Sequence, residues 1–161
     1  MSSHSTLYEQ DFDRWARNQA DLLRQGKSQD LDIEHLIEEL EDMGKSSLRE
    51  LESRFIILIA HLLKLQFQLH TLAEQWKAFE RKSWRKTIIE QRTQLNFQLD
   101  KVPSLKASLE PAREEAYPVA RRLAIKETGM PPETFPGACP YTVGDLLDED
   151  VVVLTVIPDD P

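Results

Sequence analysis

Apolar residues recur along this chain at steps of three and four, and the rhythm persists through its first two thirds. Phe12, Trp15, Ala16, Gln19, Leu22 and Leu23 predict a helix over residues 7–25, with Gly26 as its stop. Asp32 suits the N-cap of a second helix, whose Ile33, Leu36, Ile37, Leu40 and Met43 share one stripe. Gly44 costs about 1 kcal/mol inside a helix. The stripe nevertheless resumes in phase at Leu51, Phe55, Leu58, Leu62, Leu65 and Leu69. The pattern predicts one long bent helix or two helices hinged near Gly44. A further helix over 74–101 turns Trp76, Phe79, Trp84, Ile88, Leu95 and Leu99 inward, and Val102-Pro103 ends it.

The rhythm then breaks. All nine prolines lie at or after Pro103. Ser104 is expected to cap a short turn, LKASLE, and Pro111 to open a helix through AREEAYPVARRLAIKETG, kinked at Pro118 and closed by Gly129. From Met130 onward only short turns are expected, with one turn of helix after Thr142. VVVLTV, residues 151–156, is strand-like in composition without a partner strand in the chain.

The expected architecture is therefore all-α: an irregular bundle of four to five main helices over about 7–129, with a proline-rich, mostly non-helical acidic segment over 130–161. At 161 residues the simplest organisation is one domain. Only five glycines are present, which favours helices over a turn-rich sheet. The N-terminal MSSHSTLYEQDFD lacks the basic and apolar regions of a secretory signal, and no apolar run is long enough to span a bilayer. A single cysteine, Cys139, excludes an internal disulfide framework. A cytoplasmic protein is expected.

Charge changes the picture locally. The net charge is −8. Asp145, Asp148, Glu149, Asp150, Asp159 and Asp160 face no base over residues 145–161, so −6 lies in that segment and −2 in the rest. An acidic tail on a near-neutral body argues against nucleic acid as a partner.

The polar residues within FIILIAHLLKLQFQ, residues 55–68, separate on a helical wheel of about 100° per residue. Lys64 points nearly opposite the Leu58 stripe, toward solvent. Gln66 falls inside the apolar arc, where its carboxamide needs a partner and reads as structural glue. His61 and Gln68 sit on the boundary, and His61 stays open as a packed residue or a ligand.

Two charged stretches invite chemistry. EHLIEELEDMG is similar in Glu-x-x-Glu spacing to helical magnesium enzymes that cleave nucleoside triphosphates, with Glu38 and Glu41, or Glu39 and Asp42, as the pairs. Such an Mg site needs several converging oxygens, here from Glu110, Glu114 or Glu115. On the wheel Glu38, Glu39 and Glu41 diverge, and acids after a cap also suit the helix dipole. ERKSWRKTIIEQR collects Arg81, Lys82, Arg85, Lys86 and Arg92 around Trp84. It reads as a solvated face, an anion patch, or a clasp on the acidic DLLDED stretch. A small-anion cleft formed by His61, Trp84, Arg85 and Arg92 is compatible with the wheel. No glycine-rich phosphate loop, zinc spacing or nucleophile elbow is present, and Cys139 reads as a plain thiol.

YEQDFDRWARNQADLLRQG, DIEHLIEELEDMG, RELESR, HLLKLQ, SWRKTIIEQR and EEAY…ARRLAIKETGMPPETFPGACPYTVGDLLDED, in that order, closely resemble the bacterial DUF29 family over about residues 7–150. The resemblance implies a small all-helical bacterial protein and implies no activity. Between Gln68 and Ser83 this chain looks longer than the family pattern, and VVVLTVIPDDP runs past the family's acidic stop.

Three functions follow as expectations. The first is a non-enzymatic helical module that self-associates or binds a protein partner. The second is a magnesium-dependent nucleotide hydrolase using Glu38, Glu39, Glu41 and Asp42. The third is anion or nucleic-acid binding through the Arg81–Arg92 helix.

Overall fold

A computed structural model describes residues 3–150, and the strand-like 151–157 segment lies outside them. The described residues form six α-helices joined by short 3₁₀ turns, with no strand among them. Packing divides the chain into two compact units, Met1–Ser46 and Ser47–Pro161.

The first unit begins with two helices where the periodicity predicts one. α1 (Ser3–Gln10) stops before Asp11, and α2 covers Phe12–Arg24. Asp11 causes the break: its backbone is non-helical at φ −149° and ψ 82°, and its carboxylate accepts the Arg14 N–H at 3.1 Å. An N-capping side chain competes with helix continuation, and apolar spacing does not register that competition. Gly26 ends α2 in the left-handed region at φ 67°, with Lys27 N–H returning to the Leu22 carbonyl at 3.0 Å. α3 then opens at Ile33 and runs without interruption to Phe67, with Gly44 inside it. Its residues up to Ser46 belong to the first unit and the rest to the second.

The second unit holds the main core. Leu51, Phe55, Leu58, Leu62, Leu65 and Leu69 are buried as the stripe predicts. Burial is wider than one stripe here, because residues 58–60 and 62–65 are all buried. α3 is therefore enclosed on most sides, and Lys64, expected in solvent, is buried too. Its Nζ lies 2.6 Å from Glu127 Oε2 and 5.9 Å from the centre of the Trp84 ring. A buried ammonium needs such a partner.

α4 (Glu74–Lys101) matches its expected limits and buries Trp84, Ile88, Leu95 and Leu99. Val102 occupies the cap position before the 3₁₀ turn Pro103–Ser108, so Ser104 sits inside that turn instead of capping it. α5 (Leu109–Thr128) carries Pro111 in its first turn and continues through Pro118. Its Ala112, Ala116, Ala120 and Ala124, at four-residue steps, face the core with little bulk. Gly129, at φ 66°, ends it.

The last segment is held down by α5. Arg121 donates to the Pro132 and Phe135 carbonyls at 2.6 and 3.3 Å. The Tyr117 hydroxyl donates to the Pro136 carbonyl, and Arg113 to that of Tyr141 at 3.1 Å. These three side chains stand at four-residue steps on one face. The Tyr141 hydroxyl reaches Gln66 Oε1 at 2.8 Å, which makes Gln66 the structural glue expected of it. Thr142 and Asp145 form a reciprocal capping box that starts α6 (Val143–Leu147), the expected turn of helix.

Several residues expected inside face water. Phe12, Leu23, Ile33, Ile37, Trp76 and Phe79 are exposed, and Leu40 and Met43 are 67% and 68% exposed. Helical phase tells which residues share a side; it does not tell whether another element covers that side along its whole length.

Candidate functional site

The exposed apolar residues of α3 and α4 are accompanied by charges of opposite sign. On α3, Ile33, Ile37 and Leu40 span about 60° of the wheel, while Glu41, Glu34 and Glu38 follow about 80° to 140° around from Ile33. All six are exposed. Its counterpart in the second unit is a face of α4. There Ala78, Arg81, Lys82, Arg85, Lys86 and Ile89 line a groove of about 550 Å³, with exposed Phe79 beside them in sequence. Their spacing of three and four keeps them on one side of a single helix.

Below the acidic face, the first unit has a polar centre that periodicity does not announce. Asp32 Oδ2 accepts from the Trp15 indole at 3.0 Å and from His35 Nδ1 at 2.7 Å, and Gln19 Oε1 accepts the Asp32 N–H at 2.8 Å. Burial works against the Asp32 charge, but the bonds from His35 and Trp15 prevail and hold its pKa below the usual value. The bond to Asp32 in turn raises the pKa of His35. The Tyr8 ring stacks on His35 at 3.9 Å, and its hydroxyl donates to Glu39 Oε1 at 2.5 Å. That bond to Glu39, with burial and nearby acids, pushes the Tyr8 pKa up to about 12. The available signal was Asp32 with His35 three residues on. Its reach to Trp15 was not legible.

The expected acidic site is thus differently employed. Glu39 holds Tyr8, while Glu38, Glu41 and Asp42 are exposed on the surface. Among the described residues no group of three or more His, Cys, Asp or Glu converges to hold a metal ion. Glu110 pairs with Arg113 at 3.0 Å.

The four residues named for an anion cleft take four separate positions. His61 is half-buried and donates from Nδ1 to the Ile57 carbonyl at 2.8 Å, and burial lowers its pKa. Trp84 is buried beneath Lys64. Arg85 lines the outer groove. Arg92 is buried and turned to α6: it donates to the Asp145 carbonyl at 2.6 Å and the Leu146 carbonyl at 3.4 Å. Burial lowers its pKa against the opposing pull of Asp148, Asp145 and Glu149.

A family model described as a domain of unknown function, DUF29, matches residues 7–152. The chain belongs to the DUF29 family. No curated protein and no solved structure matches it. In this DUF29 chain the clasp of the basic helix on DLLDED takes a specific form. Arg92 holds backbone carbonyls of that stretch, and Asn96 Nδ2 adds a bond to Leu147 O at 2.9 Å. Arg81, Lys82, Arg85 and Lys86 are left on the exposed groove. No described helix of this DUF29 chain is long and apolar enough to cross a membrane.

Proposed function

We propose that this protein is a non-enzymatic helical interaction module of the cytoplasm that associates with itself. The observation that carries this reading is the row Ile33, Ile37, Leu40 and Met43, exposed along one side of α3 and flanked by carboxylates. Exposed apolar residues scattered singly are ordinary, whereas an ordered row of four on one helix marks an interaction face. Sedimentation velocity over a concentration series should find assemblies larger than one chain, and Ile37→Glu with Leu40→Glu should return the protein to monomer at unchanged helicity. A strict monomer at every concentration would overturn the reading.

One observation favours a second reading, anion binding through the α4 helix. The four cationic side chains Arg81, Lys82, Arg85 and Lys86 stand together on one exposed side of α4, along the groove. Calorimetric titration with inorganic phosphate and with a single-stranded oligonucleotide tests it. Heats that vanish in Arg85→Ala support it; flat titrations oppose it.

A further inference from the structure

We infer that the basic groove of α4 receives the acidic, apolar face of α3 from a second copy of this chain. The inference rests on the self-association reading and adds which two surfaces meet.

Three observations support that occupant. The first is sign. One face presents Glu34, Glu38 and Glu41 and the other Arg81, Lys82, Arg85 and Lys86, and all seven are exposed. The ion pairs among the described residues engage none of the seven, whereas Arg92, on the same helix as the four bases, is turned inward to α6.

The second is spacing. Glu34, Glu38 and Glu41 rise along α3 by four and three residues, as Lys82, Lys86 and Ile89 do along α4; Arg81 and Arg85 repeat the four-residue step. At about 1.5 Å per residue, the acidic row is about 10 Å long and the bases from Arg81 to Lys86 span about 7–8 Å, so several carboxylates and cations can meet along one pair of antiparallel or parallel helices.

The third is the apolar complement. Ile33, Ile37 and Leu40 run beside the acids, while Ala78 and Ile89 bracket the bases, with Phe79 near one end. Ionic attraction between exposed groups sets approach and register, and the apolar rows supply area removed from water. A membrane or nucleic acid would satisfy only the bases and leave the α3 face uncovered. A second copy satisfies both. Every copy carries both faces, so the smallest closed assembly is a pair with two such contacts.

Charge exchange tests the assignment in the full chain. Arg81→Glu with Arg85→Glu, and separately Glu34→Lys with Glu38→Lys, should each weaken self-association at least about tenfold. Mixed in equal amounts, the two variants should recover a complex, since each restores the opposite sign that the other lost. Association of the unmodified protein should also weaken as salt is raised, because these groups are solvent-exposed. Circular dichroism matching the unmodified protein keeps misfolding out of the comparison. Undiminished association in both variants, or a mixture that stays monomeric, overturns this pairing while leaving self-association through other residues standing. An unmodified protein that never associates overturns both.

Discussion

At the scale of single residues, Asp32 has the largest share of work in the first unit. It opens α3, receives the Trp15 indole and orients His35. Its replacement by alanine removes a cap, about 1 kcal/mol, and leaves a largely buried indole N–H without its acceptor, about 1–3 kcal/mol more. Urea denaturation followed by Trp15 fluorescence, with Trp76 and Trp84 replaced by Phe, should register a loss of about 2–4 kcal/mol. The pair also sets a pH window. His35 has its pKa raised in the folded protein, so its contribution is complete below the ordinary value of 6.5 and is lost as pH climbs through the folded value. Asp32 has its pKa lowered, so its contribution is present above the ordinary 3.8 and is lost as pH falls through the folded value. The first unit should be most stable between those limits, and His35→Ala should flatten the alkaline side of the profile. Asp32 was readable as a cap because capping is local. Its bond to Trp15 spans 17 residues and depends on α2 folding back.

At the scale of elements, helix limits followed local chemistry closely. α4 begins and ends where pattern and Pro103 require, and Gly129 and Thr142 act as their types suggest. Gly44 was the ambiguous residue. It lies within continuous α3, and an added Cβ there would meet nothing within 4 Å. Gly44→Ala should therefore raise stability by about 0.5–1 kcal/mol in thermal melts, with no change in helical content beyond reduced fraying. α6 depends on tertiary contacts, since five residues are too few to hold a helix alone. Arg92 and Asn96 supply them. Arg92→Ala removes charge-assisted bonds worth about 1.5–3 kcal/mol, and amide exchange over residues 142–148 should accelerate well before the rest of the second unit loosens. Arg92→Lys should rescue little, because an ammonium lacks the planar fork that reaches two carbonyls.

At the scale of the whole molecule, burial separates residues that periodicity places in one continuing stripe. Leu58 is completely buried and Leu40 is 67% exposed. Leu58→Ala should cost about 2–5 kcal/mol in chemical denaturation. Leu40→Ala should move the same measurement by no more than about 0.5 kcal/mol while weakening self-association. Equal losses for the two would contradict the division between core and docking face. Arg85 and Arg92 make the same point with charge. They lie about 20° apart on the wheel, yet one lines an open groove and the other is buried under α6.

The amino-acid order alone settled the all-helical class, the ends of most helices and the core stripe from Leu51 to Leu69. These depend on propensity, capping and a period of 3.6 residues, all of which act over one or two turns. It also exposed the opposed charge clusters as segments of chain. Folding settled which side of each helix was covered, why Lys64 is enclosed while Leu40 is wet, and which cations remain available on α4. Those outcomes depend on segments far apart in sequence arriving at one place, and side-chain periodicity along a single helix holds no information about that arrival.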